Sequence, residues 1–188
     1  TQLLEIVMRV LLALCLALPS FAFAAGGGFD TGGTSAPPKP TETTKTCKGV
    51  KVWDEEKKRC VRPKNSSLDQ DTLYGAVREL AYAGRITDAQ GVLLAMTDQS
   101  DDRVLTYWGF THRKLGNLEL ANDFYTRAIV QNPDNILARS YMGQGFVAEG
   151  KTQAAIEQWR EIRTRGGDGT WAEVSLRDAI RTGLTYSY

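Results

Sequence analysis

The sequence predicts an all-α protein: a short solenoid of about seven helices, preceded by a small disulfide-closed hairpin. Three observations predict it. From Asp69 onward, apolar residues recur at three- and four-residue steps. The interruptions are short and centre on glycine or Asn-Pro. The chain also repeats its own turn, with "KLGNLELA" at 114–121 and "AEGKTQAA" at 148–155.

The first stretch reads as an address. "MRVLLALCLALPSFAFA" runs from Met8 to Ala24, with a positive start at Arg9, an apolar run from Val10 to Leu18, a Pro19-Ser20 break and Ala22-Phe23-Ala24 as a small-x-small cleavage site. This pattern predicts a signal peptide over residues 1–24, cut after Ala24 or Ala25, and it makes Met8 the expected start. A membrane anchor would need about 20 apolar residues, more than this run offers. Cys15 follows Leu14 rather than a small residue, which disfavours a lipoprotein. Two cysteines then remain, Cys47 and Cys60, and an even pair in an exported chain predicts one disulfide in an oxidising compartment, most simply a bacterial periplasm or the cell exterior.

Residues 25–46, "AGGGFDTGGTSAPPKPTETTKT", have almost nothing to bury and predict a disordered linker. Residues 47–64 predict a hairpin. Val50, Val52 and Trp53 are strand-like, Asp54 to Lys58 turn-like, and Cys60-Val61 return. A hairpin this small is marginal alone, and closing its loop with a disulfide adds roughly 3 kcal/mol in the chain-entropy picture. Trp53 on this stapled platform is either a glycan contact or part of a plain spacer. The segment resembles small disulfide hairpins beside other domains in exported bacterial proteins.

Helices are expected at about 69–83, 86–97, 102–115, 118–131, 135–149, 152–165 and 170–182. Connections of a few residues force sequential helices into hairpins. Aligned to itself, the chain places Gly84, Gly116 and Gly150 in the turns. Ala89, Ala121 and Ala155 come next, then Leu93, Tyr125 and Trp159, then Met96, Ala128 and Ile162. Upstream stand Val77, Gly109 and Gly143, followed by Leu80, His112 and Phe146.

This register resembles the tetratricopeptide repeat, a helix-turn-helix unit of about 34 residues. The middle copy, "VLTYWGFTHRKLGNLELANDFYTRAIVQNPDN", carries it best, with Gly109, Ala121, Tyr125, Ala128 and Pro133 in place. The resemblance implies three repeats at about 70–101, 102–135 and 136–169, a capping helix at 170–182, and a right-handed solenoid with a concave groove. The first copy departs from the pattern at Val77 and is two residues short; the third has Ile162 at a small site and no proline. Carried over position by position, the groove would be lined by Tyr74, Arg78 and Tyr82, by Thr106, Phe110, Arg113 and Lys114, and by Ser140, Tyr141 and Gln144. The family's clamp for terminal carboxylates uses paired Lys and Asn at set places, a set this chain lacks.

Catalytic signatures are scarce. His112 stands alone, at a repeat position that packs an aromatic ring. The two cysteines have no further thiol or second histidine to complete a zinc site. Asp98, Asp101 and Asp102 lack calcium-loop spacing and suit a helix start instead. "RGGDGT" at 165–170 follows a helix, unlike a phosphate-cradling loop. Glu157 and Glu161 fall one turn apart on a solvated face. No metal and no cofactor is expected.

Nor does the charge point to nucleic acid. The net charge is +1 over 188 residues, whereas nucleic-acid binders carry a clear basic excess. Nine basic and four acidic residues lie between Lys39 and Lys64, thirteen and sixteen from Asn65 on. The expected function is therefore a non-catalytic scaffold of the cell envelope that binds a protein or peptide in the groove. Arg78, Arg113 and Lys114 favour an acidic partner, and self-association through an uncapped end is a further option. The alternative is a glycan- or peptidoglycan-binding accessory protein using Trp53; an envelope hydrolase comes last.

Overall fold

Helix follows helix from Gln70 to Thr182 because a side chain caps the first helix of each hairpin and the last helix, and each hairpin turn has a glycine free to take a left-handed backbone. The computed structural model describes residues 36–185, all within one compact unit spanning Gly32–Tyr188. The signal peptide, the start at Met8 and residues 25–35 of the linker lie outside the described residues.

In order, the elements are α1 (Glu42–Lys45), β1 (Val52–Asp54), β2 (Arg59–Val61), α2 (Gln70–Tyr82), α3 (Ile86–Leu93), α4 (Asp102–Lys114), α5 (Leu118–Gln131), α6 (Ile136–Ala148), α7 (Thr152–Thr164) and α8 (Trp171–Thr182). A short 3₁₀ turn, Pro63–Asn65, leads from the hairpin towards α2. Asp69, Asp101, Asn135 and Thr170 cap α2, α4, α6 and α8, each side chain accepting from a backbone N–H of the first turn. The turns between α2 and α3, α4 and α5, and α6 and α7 run through Gly84, Gly116 and Gly150, at φ of 74°, 83° and 74°. A side chain there would be strained.

Each first helix packs on its own second helix, and α2, α4, α6 and α8 pack on one another in series. The aligned columns are buried alike. Ala89, Ala121 and Ala155 are closed off from solvent, as are Leu93, Tyr125, Ala128 and Ile162, while Trp159 is half-buried. At Gly109 an added Cβ would lie 2.5 Å from the Tyr125 ring, so the glycine lets α4 lie against that tyrosine. The matching Gly143 does not face Trp159. Its missing Cβ makes room for Leu176 of α8, which a Cβ would meet at 2.6 Å. Trp159 instead donates its indole N–H to Glu173 Oε1 at 2.7 Å. The last helix is thus seated by both helices of the third hairpin. Between the second and third hairpins, Asp102 Oδ2 accepts from Asn132 Nδ2 at 2.9 Å and Asn135 Nδ2 at 2.7 Å.

The hairpin forms as an antiparallel pair in the register Val52–Val61, Trp53–Cys60 and Asp54–Arg59, closed by the Cys47–Cys60 disulfide. Its turn is held by Asp54, whose Oδ1 accepts from the backbone N–H of Glu56 and Lys57. The Lys57 ammonium bonded to Asp54 holds that carboxyl below its ordinary value.

Two expectations need correction. The expected disorder over 25–46 does not extend through Ala36–Thr46. There α1 forms and docks on α2, because Glu79 offers a carboxylate to the threonines of "TETT", and Thr43 Oγ1 accepts from the Trp53 backbone N–H at 3.2 Å. The expected helix at 86–97 stops at Leu93. Gln99 turns its side-chain amide onto the carbonyls of Leu93 and Met96, at 2.9 and 2.8 Å. This satisfies acceptors that further helix would have used. Among the described residues no helix is long and apolar enough to cross a membrane.

Candidate inner-wall binding site

The wall formed by α2, α4 and α6 carries the ten residues expected in the groove. Their spacing of three and four along each first helix puts them on one face. The series α2–α4–α6 then places the three faces side by side. Nine of the ten are buried and Lys114 is half-buried. That differs from a solvent-lined groove. Six rings meet along this wall and close on one another, while α8 covers Ser140 and Gln144 and the arm at Ala36 meets Arg78.

Tyr82 stacks flat on Phe110, ring centres 5.7 Å apart, while Tyr74 meets Tyr107 edge-on at 5.6 Å. Tyr141 lies 4.8 Å from Phe110 and contacts Trp171 edge-on at 6.2 Å. The hydroxyls of Tyr82 and Tyr141 are hydrogen-bonded at 2.6 Å. Burial raises the hydroxyl pKa of Tyr74, Tyr107 and Tyr141 above the usual tyrosine value, so the layer is neutral at any physiological pH. Tyr107 and Trp171 were missed from sequence, although Tyr107 stands one residue past Thr106 and its aromatic type was a signal.

The polar members divide by role. Thr106 Oγ1 donates to the Asp102 carbonyl, within its own helix. Ser140 Oγ donates to the Ala172 carbonyl at 2.7 Å, and Gln144 Nε2 reaches the hydroxyls of Ser140 and Ser175. Ser140 and Gln144 therefore fasten α8 to α6. Arg78 donates to the Ala36 carbonyl at 2.6 Å and sits 5.9 Å from the Tyr74 ring, helping to hold the amino-terminal arm.

Arg113 is different. It is 8% exposed, its guanidinium lies 5.5 Å from the Phe110 ring and 6.0 Å from the Tyr141 ring, and its Nε and Nη2 have no hydrogen-bond partner among the described residues. The Tyr125 hydroxyl is near enough to feel it: burial pushes that pKa up to about 12 while Arg113 pulls it back. Neither group is in hydrogen-bond geometry with the other, since the Tyr125 hydroxyl is also without a partner. Next to it, burial and the Arg113 charge hold the Lys114 ammonium down at about 8. Two desolvated cations on one turn favour an anionic neighbour.

Elsewhere, His112 lies between Trp108 and Phe124, stacked on both at 5.9 and 5.5 Å, and burial lowers its pKa. Trp53 is half-buried, and its side chain, after the Lys58 ammonium, helps hold the Glu55 carboxyl below its usual value. Among the described residues no three His, Cys, Asp or Glu side chains gather where they could hold a metal.

Compared with protein-family models, with curated proteins and with solved structures, the chain matches none.

Proposed function

We propose that the protein is a non-catalytic scaffold of the cell envelope, exported by its amino-terminal segment, that captures an acidic protein or peptide segment at the inner wall of α2, α4 and α6. In this reading the helical hairpins stack in the tetratricopeptide manner, and the wall is the working part. The observation that carries it is Arg113: a buried guanidinium with two donor nitrogens unmatched among the described residues, between two aromatic rings. Unmatched buried donors are costly, and a partner carboxylate would satisfy both at once. Aromatic residues and arginine are also where binding energy concentrates. Because the wall is buried, capture entails a partial opening of its inner face.

The test is photo-crosslinking in native envelopes from a probe at Lys114, on the half-buried rim. The wild-type chain should trap one or a few discrete partners. Arg113→Glu should abolish them and Arg113→Lys should weaken them, with helical content unchanged in both. An unaltered crosslinking pattern in Arg113→Glu, or the absence of any partner, would remove the proposal.

A further inference from the structure

A second surface, lined by other residues than the inner wall, carries a different chemistry. The loop after Cys47 and the segment after β2 approach the end of α3 and leave a cleft of about 710 Å³. Val50, Pro63, Gly91 and Ala95 line it together with Lys48, Lys51, Arg62 and Lys64, and Leu94 stands out at its edge. The volume falls within the range of ordinary ligand sites.

The cleft is built, not incidental. Gly91 on α3 admits Val50, whose Cγ2 would lie 2.5 Å from an added Cβ. Arg85 fixes the loop from the other side, donating to the carbonyls of Cys47 at 2.8 Å and Gly49 at 3.0 Å while its Nε bonds Asp88 at 2.9 Å. The disulfide ties the same loop to β2.

All four cations are exposed. None of the four side chains has an ion pair or hydrogen bond among the described residues, and no carboxylate lines the cleft. Between them Leu94 is 72% exposed and Val50 38% exposed. A protruding leucine ringed by unpaired lysines and an arginine is the pattern that meets an anionic bilayer surface: the cations draw in phosphate headgroups while the apolar side chain enters the acyl boundary. A peptide partner would find no aromatic anchor here, and a glycan no ring to stack on, since Trp53 is not among the lining residues.

We infer that this cleft is a peripheral docking site for an anionic phospholipid surface, with the phosphate headgroup held by Lys48, Lys51, Arg62 and Lys64 and with Leu94 inserted beside it. This site is separate from the inner wall and stands or falls independently of it. Attachment here would hold the helical stack against a membrane.

The experiment is co-sedimentation of the full chain with vesicles of phosphatidylcholine alone, or of phosphatidylcholine with an equal part of phosphatidylglycerol. The segment from Arg9 to Leu18 is the same in every variant, so the reading is the change from wild type to variant on each vesicle type. Wild type should prefer the anionic vesicles, and added salt should erase the preference. The double variant Lys51→Glu, Lys64→Glu should lower the anionic partition coefficient on the order of tenfold or more, and Leu94→Asp should lower it too. All three substituted positions are exposed, so thermal unfolding should be unchanged and would expose any variant that simply misfolds. Equal binding to both vesicle types, or a double variant that binds like wild type, would overturn the inference. So would soluble polyglutamate displacing the vesicles at equal charge, which would make the occupant an acidic peptide instead.

Discussion

Glu79 receives Thr41: the backbone N–H of Thr41 donates to Glu79 Oε1 at 2.6 Å and its hydroxyl to Oε2 at 2.6 Å, across 38 residues of chain. Thr44 adds its own N–H at 3.0 Å and its hydroxyl. One carboxylate on α2 thus gathers the start of α1, and Glu79 is buried as a result. Glu79→Ala should lower stability by about 2–3 kcal/mol, the range for hydrogen bonds to a charged group left unmade. Amide exchange at Thr41 and Thr44 should quicken while exchange in α5 to α7 stays slow. Unchanged protection at both threonines would mean that other contacts seat the arm.

The glycines separate by what a methyl group would meet. Gly109→Ala and Gly143→Ala should each cost about 1–3 kcal/mol through overpacking, since the new Cβ would sit 2.5 Å from Tyr125 and 2.6 Å from Leu176. Gly145→Ala meets the Arg113 Cδ at 3.3 Å and the Asn122 Oδ1 at 4.0 Å, the first the shaft of a long side chain, and should be mild. Gly75, inside α2 with nothing within 4 Å, should gain about 0.5–1 kcal/mol as alanine, from helix propensity. Chemical denaturation of the four variants ranks them; Gly75→Ala less stable than Gly109→Ala would contradict the packing described.

Burial by the Trp108 and Phe124 rings lowers the pKa of His112, which fixes the sign of a pH effect. Above the ordinary value of 6.5 the imidazole is neutral in folded and unfolded chains alike, and it contributes nothing. As pH falls below 6.5 the unfolded chain binds the proton first, so stability declines until pH passes the lowered folded value. The loss should flatten in His112→Phe, which keeps the stack without a titrating group. Thermal unfolding of both proteins from neutral to mildly acidic pH reads the difference. Parallel curves would show that His112 is not responsible.

The helices and their turns were legible because they rest on local rules: apolar period, side-chain caps and glycines at positive φ. The hairpin was legible from its cysteine pair and strand-like residues. Other features depend on partners distant in sequence. Nothing in "TETT" announces that Glu79, 38 residues later, will order it; read alone, a threonine- and proline-rich stretch has no apolar surface to bury. Gln99 ending α3 is equally non-local in effect. At the candidate site, the face shared by Tyr74, Phe110 and Tyr141 came from the tetratricopeptide resemblance, whereas its closure did not, because burial depends on side chains from several helices meeting at once. The basic cleft was visible only as a local charge excess, since Leu94 and Lys51 are brought to one place by Gly91 and Arg85.

Reduction of Cys47–Cys60 should separate the hairpin from the helical stack energetically. The bond closes a loop with a sequence separation of 13, worth about 3 kcal/mol in the chain-entropy picture, and two three-residue strands cannot hold without it. Arg85 would still reach towards the Cys47 and Gly49 carbonyls, yet those acceptors would no longer be fixed. Cys47→Ser with Cys60→Ser should therefore keep its helical signal, lose protection at the Val52 and Val61 amides, and lose the preference for anionic vesicles, because Lys48, Lys51, Arg62 and Lys64 would no longer line one cleft. Helical signal and hairpin protection lost together, at a single midpoint, would show instead that the hairpin and the helices unfold as one unit.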